Sequence, residues 1–336
     1  MRARGMESRG MASGVAALLM ALASLAGTPA AAEVALEQRD DRVAVTIDGE
    51  EFTNYLFTGH DKPILFPLRS PRGIPLTRSW PVEKGVEGEP EDHPHHESLW
   101  FTHGSVNGHD FWAPRAHGAA PDDPVPHVEH LSVERCESGQ SGVLLTTSRW
   151  VDAAGKPVLT EHRRMVFSAD AEARSIFVTL ELVADAGPVT FGDTKEGSFA
   201  FRVRPALQPN DSNGSQGASG RLVNSEGLVD FAAWGKRARW VDYSGVVDGA
   251  TVGIALLDHP ANLRHPTWWH AREYGLCGAN PFGIHDFTGA PEGSGDHTIP
   301  AGDKLVLRYL LIFHEGDATA AGIDDRWKLW AEGGHP

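Results

Sequence analysis

The sequence predicts an all-β fold, a large two-sheet antiparallel sandwich with one short C-terminal helix. Three observations point to it. In Ser175–Val183 the residues Ile176, Val178, Leu180 and Leu182 fall on one face, and Ser175, Thr179 and Glu181 on the other, a period of two. Gly142–Asp152 and Val158–Ser168 are similar runs joined through Ala154-Gly155-Lys156-Pro157, which reads as a hairpin. Elsewhere strand-like runs follow one another between turn residues with almost no helical period, which favours one domain of two packed sheets.

Taken in order, the further strand candidates are Arg42–Ile47, Phe52–Thr58, His127–Glu134, Phe199–Val203, Arg237–Tyr243, Thr251–Leu257 and Lys304–His314. Ala119–Pro126 and Pro205–Gly220 read as surface loops from their Pro, Asp, Asn, Ser and Gly content. Ala318–Trp330 is the exception to the strand pattern, with Ile323, Trp327 and Trp330 able to share one helical face. The N-terminus carries Arg2, Arg4 and Arg9, an apolar run from Val15 to Leu25, and Ala30-Ala31-Ala32 before Glu33. That order of basic, apolar and small residues predicts a secretory signal over 1–32 and a mature single sandwich domain over 33–336, periplasmic or extracellular. The run is far short of the ~20 residues a bilayer span needs.

The formal charge is −15, and the predicted signal holds three arginines against one glutamate, so its removal leaves −17. So acidic a chain has no footprint for nucleic acid or anionic lipid, which leaves a small molecule or an oligosaccharide as the expected partner. The two cysteines, Cys136 and Cys277, are either a disulfide that export would permit or two free thiols, and their spacing forms no metal motif.

Three constellations carry the chemistry. The first is Asp92-His93-Pro94-His95-His96-Glu97, followed by Trp100, His103, Asn107, His109 and Trp112. Were Glu97–His103 a strand, Glu97, Leu99, Phe101 and His103 would share a face, with His95 and His96 at the loop end, where functional residues gather. Adjacent histidines point apart on an extended chain, so at most one of each pair faces a given site. The second, Phe191-Gly192-Asp193-Thr194-Lys195-Glu196-Gly197, is a charged triplet between glycines, readable as proton-transfer groups or as a polar turn with a surface ion pair. The third runs from Asp258-His259 through His265-Pro266-Thr267-Trp268-Trp269-His270-Ala271-Arg272 to Asn280 and His285. Paired Trp beside His and Arg supplies the flat apolar platforms and fixed hydrogen-bonding groups that a sugar ring needs, with one of Trp268 and Trp269 in the core and the other at a cavity or surface.

At these segments, together with Asn224-Ser225-Glu226-Gly227 and Trp234-Gly235-Lys236-Arg237, the chain resembles an exported bacterial family of unknown function that carries the label methane oxygenase PmoA family. The likeness runs from about Val43 to Glu315, and one departure is Glu97, where relatives are expected to carry a basic residue. A methane oxygenase subunit spans the membrane, and nothing after the signal here has the length to do so. The resemblance implies instead a galactose-mutarotase-like supersandwich, a fold that binds sugars in a groove of one sheet, often with a catalytic His and a carboxylate.

The expectation is an exported carbohydrate-active protein working by acid-base chemistry, hydrolase or lyase ahead of epimerase. His95 or His96 would be the general acid and Glu196 or Asp193 the partner carboxylate, with Lys195 beside them; Trp268, Trp269, His103, Asn107, Arg272, Asn280 and His285 would contact substrate. One alternative is a sugar-binding module without turnover. Another is a metal-dependent enzyme in which His95 or His96, His103 and a later His such as His259 or His285 hold a divalent cation, although no His-Glu-x-x-His motif is present.

Overall fold

The computed structural model describes residues 1, 2, 5, 32–116, 118–120 and 122–334, so the predicted signal over 1–32 lies almost entirely outside the described residues. Strands β1 (Val34–Gln38), β2 (Arg42–Ile47), β3 (Glu50–Leu56), β4 (Ile64–Phe66) and β5 (Leu99–His103) lay down one half of a first sheet. The chain then builds a second sheet with β6 (His127–Glu137), β7 (Gly142–Val151), β8 (Pro157–Ala169) and β9 (Ala173–Val183). After β10 (Val189–Phe191) it returns beside β5 as β11 (Gly197–Arg202). Next, β12 (Arg221–Asn224), β13 (Trp240–Val247) and β14 (Ala250–Asp258) extend the second sheet, while β15 (Trp268–Trp269) and β16 (Leu276–Asn280) complete the first. The short helix α1 (Ile284–Thr288) follows, β17 (His297–Ile299) pairs with β10, β18 (Lys304–Glu315) lies between β14 and β9, and α2 (Ile323–Ala331) ends the fold.

The first sheet has the order β1-β2-β3-β4-β5-β11-β16-β15 and the second β12-β13-β14-β18-β9-β8-β7-β6, with antiparallel pairing throughout. This is the two-sheet sandwich that the alternation predicts. Ile176, Val178, Leu180 and Leu182 all enter the main core, where they meet Leu99, Phe101, Phe199, Phe201 and Trp269 from the first sheet. Among the described residues no helix is long and apolar enough to cross a membrane.

Two elements differ from the sequence-based expectation for identifiable reasons. The strand expected at Arg237 begins at Trp240, because Arg237 is drawn to the first sheet: it bridges Trp268, and its Nε donates to the Pro266 carbonyl at 2.7 Å. The C-terminal helix starts at Ile323 and buries Ile323 and Trp330 against Trp240, Leu257, Leu310 and Ile312 on the outer face of the second sheet. Cys136 and Cys277 are free thiols, the second buried in the core.

What positions the site is the outer face of the first sheet. Residues that alternate with the core set, namely Ile64, Phe66, Trp100, Ala200 and Leu276, form a separate apolar cluster with Trp112. Strands β5 and β11 are thus buried on both faces, which is why neither shows a strict alternation of apolar and polar residues. The covering layer comes from the connection between β4 and β5, which carries Arg78 and Asp92–Ser98, and from the segment after β5, which carries Trp112.

Candidate functional site

Glu97 does not share a face with Leu99 and Phe101, because Ser98 between them takes a left-handed φ of 56° and breaks the alternation. That kink leaves Leu99 and Phe101 in the core and sends Glu97 to the opposite side, toward the connection between β3 and β4. There Glu97 Oε1 lies 2.7 Å from His60 Nδ1, and Lys62 Nζ donates to Oε2 at 2.5 Å. Burial works against the charge on Glu97, yet Lys62 and His60 hold its carboxyl down at about 2. Lys62 is itself buried and lies 5.7 Å from the centre of the Trp100 ring.

This pair sits at the edge of a cavity of about 670 Å³ lined by His60, Asp61 and Lys62 from one segment, Pro94, His95 and Glu97 from a second, and Ala113, Pro114, Arg115 and Ala116 from a third. Arg115 closes one side through a two-pronged ion pair with Asp61 at 2.9 and 3.0 Å. His95 is half-buried at this wall, and burial together with the charges of Lys62, His93 and Arg78 lowers its pKa to about 3. A value that low favours the unprotonated imidazole at neutral pH, with one N–H to donate and one lone pair to accept a hydrogen bond.

Behind His95 lies a ring of stacked and charged groups. His96 is buried between Trp100, 5.4 Å away and tilted by 19°, and His93, 4.8 Å away and nearly parallel; His93 in turn stacks on Tyr274 at 5.4 Å. Arg202, fully buried, places Nη1 3.1 Å from His96 Nδ1 and Nη2 3.2 Å from Asp92, and its guanidinium lies over the Tyr274 ring at 4.6 Å. Arg78, also fully buried, reaches the same Asp92 carboxylate and donates to the His93 and His96 carbonyls. Against the cost of burial, the hydrogen bond from His93 and the charges of Arg202 and Arg78 hold Asp92 well below the usual carboxylate range. Burial, with His95 and Arg202 nearby, likewise depresses His96 far below the ordinary imidazole value, so it too is neutral and acts as a fixed wall. On this same face the indole N–H groups of Trp100 and Trp112 and the Thr102 hydroxyl find no hydrogen-bond partner among the described residues. An orphaned buried donor costs about 1–3 kcal/mol, and such groups collect where structure serves function.

The other expected site residues divide clearly. Asp193 accepts backbone N–H groups from His285 (2.9 Å) and Gly295 (2.8 Å), and Asn280 accepts from Phe282 and Gly283 while donating to the Thr194 carbonyl. Asn107 pairs with the backbone of Thr190 and Pro188, and His285 with the Ala290 carbonyl. These four tie loops together and do not line the cavity. Lys195 and Glu196 form an ion pair at 3.0 Å, each about one-third exposed, which is the polar-turn reading of that segment. His103 is fully buried, with Nε2 donating to the Gly192 carbonyl at 2.7 Å and its ring against Phe191 and Phe282; burial lowers its pKa to about 4. A side chain on Gly197 would collide with that ring, so glycine there is a packing requirement. Trp269 is core, while Trp268 is on the other face with the Arg237 guanidinium 4.6 Å above its ring, so that platform is already covered. Arg272 lies over Trp234 at 4.8 Å.

The metal candidates are not brought together. His259 packs edge-on against Trp330 beside the second sheet, His103 is in the core, and His95 is at the cavity. Among the described residues no group of three or more His, Cys, Asp or Glu is arranged to hold a metal ion.

The residues missed from sequence are Lys62, His60, Arg78 and Arg202. Two of them did leave a signal. Arg202 closes the apolar run Phe199-Ala200-Phe201, and Lys62 directly precedes Pro63-Ile64-Leu65-Phe66; a charge at the edge of a buried strand has to be compensated.

Fold and site together define an all-β sandwich whose polar centre is built on the outer face of one sheet. The chain matches the model of a family of unknown function, DUF6807, over residues 42–328, and it belongs to that family. No curated protein matches it.

Proposed function

We propose that this is an exported carbohydrate-active protein that receives a sugar or glycoside in the cavity beside His95, Lys62 and Glu97. The observation that carries the reading is the composition of that cavity. Its size falls in the ~300–1,000 Å³ range of small-molecule sites, and fixed charged and hydrogen-bonding groups stand beside the apolar surfaces of Pro94, Ala113, Pro114 and Ala116. A sugar needs an apolar surface for its C–H faces and fixed partners for its hydroxyls. Here Glu97 offers acceptor oxygens, Lys62 offers N–H donors, and the neutral His95 offers one of each. The likeness to a mutarotase-like supersandwich and the signal-like N-terminus agree with this reading.

A pKa of about 3 makes His95 a weak proton acceptor, so its part in this reading is that of a neutral hydrogen-bonding group. His95, His96 and Glu97 are all unprotonated at neutral pH, which leaves general acid catalysis without a donor among them. This favours recognition over hydrolysis and keeps the sugar-binding module as a second reading of the same site. Calorimetric titration with a panel of free sugars, glycosides and oligosaccharides tests the first part, alongside product analysis between pH 5 and 8, roughly the range in which His changes charge. Saturable binding is expected, and Ala116→Trp, at the exposed edge of the cavity, should weaken it on the order of tenfold or more with unfolding unchanged. A protein that binds no member of the panel, or binds equally well with Ala116→Trp, would defeat the reading.

A further inference from the structure

The pairing register extends the outer face beyond the cavity to a second group of polar residues. His270 exchanges backbone hydrogen bonds with Gly278 at 2.8 and 3.1 Å, Gly278 is opposite Ala200, and Ala200 is opposite Trp100. Directly opposed residues project to the same side of a sheet, so His270 and Trp100 flank a floor of two small residues on one face. His270 is only 2% exposed, and neither of its ring nitrogens has a well-formed hydrogen bond; the backbone of Lys195 lies close by. The charges that act on it most are all positive, from Arg272, Lys195 and His93.

Arg272, two residues further along the chain, forms no ion pair with a carboxylate among the described residues. Its guanidinium rests on the Trp234 ring, and its Nε has no acceptor. Of the carboxylates close to this group, Asp92 is shared by two fully buried arginines, Arg78 and Arg202, Glu196 is taken by Lys195, and Asp286 is bound to the Lys195 backbone N–H at 2.6 Å. A buried imidazole with no more than a marginal hydrogen bond to the Lys195 backbone, next to an arginine with no ion-pair partner among the described residues, is a site prepared for an anion. His93 links it to the cavity, 5.4 Å from Tyr274 on this side and 5.7 Å from His95 on the other.

We infer that the ligand of this face is an acidic sugar, whose anionic substituent is received between Arg272 and His270 while its ring lies toward His95. Arg272 supplies the charge and a planar two-donor edge, and neutral His270, whose single N–H otherwise faces the Lys195 backbone, supplies one further donor when it turns to the anion. This inference rests on the carbohydrate reading and sharpens it from sugars in general to those carrying a carboxylate.

The test compares ligands before it compares variants. Calorimetric titration of the intact protein with glucuronate- and galacturonate-containing oligosaccharides, with the corresponding neutral oligosaccharides and with sulfated ones should show the uronates binding on the order of tenfold or more tightly than their neutral counterparts. Raising the salt concentration should narrow the gap. Arg272→Gln and, separately, His270→Gln should reduce the preference for acid over neutral ligand, read as the ratio of the two affinities in each variant. Equal affinity for acidic and neutral ligands in the unaltered protein would overturn the inference and leave the carbohydrate reading standing. A preference that survives in folded Arg272→Gln would also overturn it, as would tighter binding of sulfated sugars than of uronates. Failure to bind any sugar would remove the carbohydrate reading itself.

Discussion

The buried pair of Lys62 and Glu97 sets the electrostatics of the cavity wall, and replacing Lys62 by Met gives the clearest perturbation. Glu97 has its carboxyl pulled from an ordinary value of 4.5 to about 2, with Lys62 the main favourable charge. The side chain is only 12% exposed, so solvent does little to screen the interaction. The gap between the two values corresponds to about 3 kcal/mol. Because the folded-state value is depressed, this stabilisation is present above pH 4.5 and is lost as pH falls through about 2. Lys62→Met removes the cation while keeping most of the volume, and leaves a buried carboxylate with His60 alone. Urea unfolding followed by tryptophan fluorescence should show a loss on the order of 3 kcal/mol at pH 7, and a smaller further loss between pH 4.5 and 2 than the unaltered protein shows. Adding Glu97→Gln should recover much of the pH 7 loss, because no uncompensated charge then remains buried. A Lys62→Met protein within about 0.5 kcal/mol of the unaltered one at pH 7, with the same acid limb, would refute the reasoning.

Two further outcomes follow from the same structure. His314 and Asp242 are fully buried and 2.7 Å apart, and against the pull of burial Asp242 raises the His314 pKa above its ordinary 6.5. The stability this pair contributes is therefore complete below that value and lost as pH rises through the folded-state value; in Asp242→Asn the order should invert, with relative stability falling as pH drops below 6.5, as read from urea midpoints at pH 5.5 and 8.5. Trp268→Ala should change sugar affinity less than twofold in calorimetry, since the Arg237 guanidinium already occupies the face of that ring.

The reach of sequence reasoning here follows the range of the interactions involved. Half-buried strands such as β9 announce themselves through alternation, and of the cavity's lining the His and Trp cluster around His95 contains Pro94, His95 and Glu97, while His60, Asp61 and Lys62 lie outside it. Strands buried on both faces gave weaker signals: β16, Leu276-Cys277-Gly278-Ala279-Asn280, is made mostly of small residues with no period and low β-propensity, although it lies at the centre of the site's floor. The charge network is less legible still, because Glu97 meets Lys62 from 35 residues away and Asp92 meets Arg202 from 110. Asp193 and Asn280 show the converse limit. Each is the residue type that chemistry uses, and each is consumed by backbone N–H groups from loops that no local pattern could have placed beside it.

The most direct test of the account is the location of a bound sugar by diffraction, using crystals of the protein grown or soaked with the tightest-binding oligosaccharide of the calorimetric panel. A ring is expected in the cavity within hydrogen-bonding distance of His95, Lys62 or Glu97, on the outer face of the first sheet. A sugar bound on the outer face of the second sheet, or at the exposed Lys195 and Glu196 turn with the cavity unoccupied, would contradict it.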